Sequence, residues 1–101
     1  MKVTVGKVLV DIDNETIKDL KGNNATAKGV IIEALLATYN DEQNLSGEDK
    51  LKRFELALKI KNTNEVVIEL NTEEIVLIKK LVGRAFGTII VGQTWKVLEG
   101  E

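Results

Sequence analysis

The spacing of apolar residues changes period several times along the chain, and each change predicts an element. Residues 2–12, KVTVGKVLVDI, place Val3 and Val5 two apart, then Val8, Val10 and Ile12 two apart. That alternation predicts strand, with the parity switching across Gly6 and Lys7. A bulge there keeps all five side chains on one face; a tight turn between two short strands is the alternative. The following DNETIKDLKGNN is polar and rich in turn residues, so it reads as a loop with room for a short helical turn at 15–20.

From Thr26 the period lengthens. In TAKGVIIEALLATYN, residues 26–40, apolar positions step by three and four through Val30 or Ile31, Ala34 or Leu35, and Thr38 or Tyr39, the broad face of an amphipathic helix. After a polar connection, Ser46 stands three residues before Asp49, a capping-box pattern with Asp in place of Glu, and opens a second helix over 46–62. Leu51, Phe54, Ala57 and Leu58 are expected to form its buried stripe, widened by Leu56 and Ile60.

EVVIEL, residues 65–70, alternates again and predicts a strand with Val66, Ile68 and Leu70 on one side. Asn71 then caps a third helix, with Glu74 three residues on and Ile75, Ile78, Leu81 and Val82 at helical spacing. Gly83 or Gly87 ends it. The tail TIIVGQTWKVLEG fits a helix or a strand, because its first residues are β-branched. The sum is one α+β domain spanning residues 1–101: a small two- or three-stranded sheet packed against three to four helices.

Composition narrows the chemistry. The chain has 101 residues, 14 basic and 16 acidic, and neither histidine nor cysteine. Without cysteine there are no disulfides, thiolate nucleophiles or zinc–thiolate sites. Without histidine the commonest general base and transition-metal ligand is missing. A non-enzymatic protein without cofactor or metal is the expectation. The charge balance gives no overall field toward nucleic acid or an anionic membrane. No apolar run resembles a signal peptide or a membrane span, so a soluble, intracellular protein is expected.

Two motifs invite a ligand. GTIIVGQT, residues 87–94, has the glycine spacing of a phosphate-binding loop, but Gln93 stands where its lysine belongs. A helix end precedes it where a strand is required, and its interior is β-branched where a phosphate cradle needs small residues. Its glycines read instead as a break after Val82 and a close helix contact at Gly92. DIDNE, residues 11–15, has the look of a calcium loop, yet Thr16 and Gly22 occupy its diagnostic glycine and glutamate positions.

The remaining candidates are surfaces. Val91, Trp95 and Leu98 share one helical face, suited to the core or to a subunit interface. Lys50, Lys52, Arg53 and Lys59 on the second helix are the candidates for contacting phosphates, should the protein be a nucleic-acid-binding regulator. Tyr39 is expected to pack, with its hydroxyl at the rim.

The opening strand with its acidic turn, EDKLKRFELALKIKN, and ELNTEEIVLIKKLVGRAFGTIIVGQTWKVLE together resemble small proteins of tailed bacteriophages and prophages, over most of residues 26–99. The resemblance implies an accessory, assembly or regulatory factor that acts through surfaces. Its partners would be a second copy of itself and another phage or host protein, in the bacterial cytoplasm or on the virion. It also implies a helix for the final segment.

Overall fold

The computed structural model of the protein describes residues 1–42 and 44–100. Among them the order is β1 (Lys2–Thr4), α1 (Ala27–Leu36), a short 3-10 turn at Asn40–Glu42, α2 (Gly47–Asn62), β2 (Val67–Glu69), α3 (Thr72–Ala85) and α4 (Thr88–Leu98). β1 and β2 pair antiparallel, Val3 opposite Ile68, and both of these side chains are buried while their neighbours along each strand face out. Two strands of three residues cannot hold a core alone. The helices supply it: α1 packs against α2, α3 and α4. The fold is α+β.

Helix starts follow the sequence closely. Thr26, Ser46 and Asn71 each accept a hydrogen bond from the backbone N–H three residues on, and Asn71 with Glu74 forms a complete capping box. The final segment is helical, capped by Gly87 without a side-chain bond. α3 runs through Gly83, and the chain breaks later, at Phe86 and Gly87.

Residues 7–27 depart from expectation in an ordered way. There is no bulge at Gly6 and no helical turn at 15–20. The chain turns at Val5 and Gly6, and three segments then hydrogen-bond in a ring. The Leu9 N–H donates to the Ala25 carbonyl at 2.9 Å, Ala25 to Ile17 at 2.8 Å, and Ile17 to Leu9 at 3.0 Å. These residues are eight apart. The two connections also match: the Oδ1 atoms of Asp11 and Asp19 each accept from the backbone N–H groups two and four residues on. Asn14 and Gly22 supply the left-handed conformation at equivalent places, with φ of 65° and 83°.

VLVDIDNE and TIKDLKGN are therefore two copies of an eight-residue turn unit, with NAT beginning a third. Leu9 is fully buried, with Ile17 and Ala25 packed against the core. Leu9 carries on the odd parity of Val3 and Val5. Val8 and Ile12, expected inside, are exposed, and Val10 is half-buried. The three β-branched residues around Leu9 mimic a strand face of the opposite parity.

α2 presents the other correction. Its buried residues are Arg53, Leu56, Ala57 and Ile60. Of the expected stripe, Ala57 is buried, as are Leu56 and Ile60, which widen it, whereas Leu51, Phe54 and Leu58 are 53%, 50% and 39% exposed. On α4, Gly92 is not the close contact: a Cβ there meets nothing within 4 Å, whereas one at Gly83 lies 3.3 Å from the Trp95 ring.

Candidate interaction surface

At about 100° per residue, Leu51, Phe54 and Leu58 fall within a narrow arc on the outer side of α2, centred about 140° from the arc of Leu56, Ala57 and Ile60, with Ala57 the member nearest Phe54. Leu36, at the end of α1, is also exposed, and with Phe54 and Lys50 it lines a groove of about 580 Å³. The other large exposed apolar residues are Met1 before β1, Val8, Ile12 and Leu20 in the turn units, Val66 and Val67 at β2, and single residues on α3 (Val76) and α4 (Ile89). Among the described residues, α2 alone carries an exposed apolar run at helical spacing.

The base of the groove is polar and tightly paired. Arg53 and Glu42 form a two-point ion pair with both bonds at 2.8 Å, their side chains only 9% and 14% exposed. Arg84 of α3 approaches the same carboxylate at 3.6 Å, binds Asp41, and lies over the Tyr39 ring at 4.5 Å. The Tyr39 hydroxyl faces the Ala34 and Leu81 carbonyls at 2.8 and 3.2 Å. Hydrogen bonds from Arg53, above all, hold the Glu42 carboxyl below the ordinary carboxylate range and raise Arg53 in turn. Burial raises the Tyr39 phenol, against the opposing pull of the two arginines. This network ties the 3-10 turn to α2 and α3. Its cations and carboxylates already face one another, so it supports the groove and leaves little charge free for a ligand.

The basic residues proposed to meet phosphates do not converge. Arg53 points inward to Glu42. Lys50 lies on the flank of the apolar stripe opposite Lys52 and Lys59, and Lys59 approaches Glu74 at 3.4 Å. The Val91, Trp95 and Leu98 face is turned inward. Leu98 is fully buried, and Val91 and Trp95 pack against the core. The indole N–H donates to the Lys79 carbonyl at 3.1 Å, and the Lys79 ammonium lies 4.6 Å from the ring centroid. Trp95 thus joins α4 to α3.

In GTIIVGQT, Gln93 acts where a phosphate loop would use lysine. Its carboxamide accepts from the Val10 N–H at 2.9 Å and donates to the Val10 carbonyl at 2.6 Å, closing the edge of the turn unit as another strand would. The residues of the nominal phosphate loop form the first turns of α4, with Gln93 anchoring that helix. In DIDNE, the Asp11 carboxylate accepts two backbone N–H groups of its own turn.

Sequence reasoning missed the ring of turns, although its signal was present: Asp11 and Asp19, Asn14 and Gly22, and Leu9, Ile17 and Ala25 all repeat at intervals of eight. The Glu42–Arg53 pair left no such trace. Among the described residues no helix is long and apolar enough to cross a membrane. No protein-family model, curated protein or solved structure matches the chain.

Proposed function

We propose that the protein is a non-enzymatic interaction module whose working surface is the outer face of α2 with the adjoining groove. The accessory or assembly role implied by the resemblance to tailed-phage proteins fits this reading, as does action in the host cytoplasm or on the virion. One observation carries it: Leu51, Phe54 and Leu58 stay exposed at helical spacing while the same helix buries a different face. Exposing a contiguous apolar stripe costs solvation free energy that a partner surface would recover. The stripe has a polar surround of lysines and carboxylates, the usual anatomy of a docking face.

Site-specific photocrosslinking in native cells tests this. A photoreactive phenylalanine analogue replaces Phe54 in one version of the full chain and Val76, exposed on α3, in another. Protein adducts several-fold more abundant from position 54 are expected. Equal yields at both positions, or none at 54, would overturn the reading. Salt-sensitive DNA or RNA binding lost on mutating Lys50 and Lys52 would replace it with the nucleic-acid regulator.

A further inference from the structure

The charges beside the stripe specify an occupant. With Leu51 and Leu58 at the first (a) position of successive heptads, Phe54 takes the d position and Gly47 and Lys61 the outlying d positions. Lys50 then falls at g, on one flank, and Glu48 and Glu55 at e, on the other. All three are exposed, and Lys50 and Glu55 are five residues apart, beyond the reach of the three- and four-residue pairs within one helix.

We infer that the outer face of α2 binds a second copy of the same helix, parallel and in register. A twofold axis along the helices brings each flank against the opposite flank of the partner. Lys50 then faces Glu55 of the partner subunit, and the symmetric pair forms as well. In an antiparallel pair each flank meets its own kind, which sets Glu55 against the partner's Glu48 or Glu55. Charge complementarity selects the parallel arrangement.

The seam holds three apolar layers, of Leu51, Phe54 and Leu58. Leu36, exposed beside Phe54 and Lys50 at the groove, extends the apolar surface on the Lys50 flank. At one end Gly47 offers no side chain, and at the other Lys61 meets a like charge. So short a seam predicts a reversible dimer with a midpoint on the order of ten micromolar, well below the strength of an obligate interface.

The inference rests on the reading of α2 as the working surface, and the experiments separate the two. Light scattering of the purified full chain is expected to show a monomer–dimer equilibrium in the micromolar range. K50E or E55K alone replaces two attractions by two repulsions and is expected to weaken association about tenfold, with the double reversal returning it to within about threefold. An antiparallel pair predicts the opposite sign for E55K, because that change relieves repulsion between acidic flanks.

The chain has no cysteine, so L51C and L58C report orientation directly. In a parallel pair both give covalent dimers on mild oxidation, since like positions face each other at disulfide range. In any antiparallel register at least one of these positions lies about 10 Å or more from its copy along the axis. Crosslinking of only one, strengthening by E55K, or a strict monomer to on the order of a millimolar would each overturn the inference. A strict monomer whose position-54 photoadducts carry a different protein leaves the broader reading standing. Loss of those adducts together with dimerisation removes both. All four positions are exposed, so the variants are expected to keep the wild-type circular dichroism spectrum.

Discussion

α2 and α3 look alike in the sequence and behave oppositely in the fold. Each opens on a side-chain cap and carries aliphatic residues at three- and four-residue spacing. α3 has one apolar stripe, and Ile75, Ile78, Leu81 and Val82 are all buried. α2 has two. Leu51, Phe54 and Leu58 form one, Leu56, Ala57 and Ile60 the other, and only one can face the body of the protein. The second is chosen. Small Ala57 is buried on a helix that packs against α1, and Arg53, one turn before it, reaches Glu42. Turning the first stripe inward would leave Arg53 in water and Glu42 buried with its nearest cation removed. Amphipathic spacing defines a face; where a helix offers two, the neighbours choose.

The sharpest break in that comparison is Ile78→Ala on α3. Its side chain is fully buried, so the cavity is expected to destabilise the fold by about 3–4 kcal/mol in denaturant titrations. Next comes Glu42→Gln, which leaves Arg53 inside without its counter-charge. The pair keeps some solvent contact, so a loss of about 2 kcal/mol at neutral pH is expected. Because the folded Glu42 has a pKa below its unfolded value of 4.5, the stabilisation is present above that pH. It disappears as pH falls through the folded value. The wild-type advantage over Glu42→Gln should therefore close on acidification; a gap unchanged down to about pH 2 would show that the ion pair does not orient α2.

α4 lies between the two cases, because Gln93 fixes its rotation. Gln93→Leu removes both partners of the Val10 backbone, at a cost of about 1–2 kcal/mol, with faster amide exchange at Val10. On the open side of the same helix, Gly92→Ala is expected to raise stability by about 0.5–1 kcal/mol through helix propensity. Gly83→Ala gains less, since the new methyl group crowds Trp95. Equal gains would contradict the close α3–α4 contact. Phe54→Ala should change stability least, by under about 0.5 kcal/mol, when measured in dilute protein.

Local features were legible. The caps at Thr26, Ser46 and Asn71, the alternation through Val3 and Ile68, and the single stripe of α3 each involve residues within a turn or a strand of one another. Sequence and structure agree there because the interactions are short-range. The ring of turns was legible too, as a period of eight, but Val8, Val10 and Ile12 imitate a strand face more strongly than Leu9 marks the true one. The candidate surface was legible only as a stripe with the wrong orientation.

The sequence by itself determined the α+β class, where the first three helices begin, and the lack of thiol and imidazole chemistry, since composition and local hydrogen bonding fix these without reference to the rest of the chain. Tertiary structure alone decided which stripe of α2 faces solvent, that Gln93 clasps Val10 across 83 residues, and that Trp95 joins α3 to α4. Each depends on which distant groups arrive together, and on the cost of leaving a buried polar group unpaired. No local pattern encodes that cost.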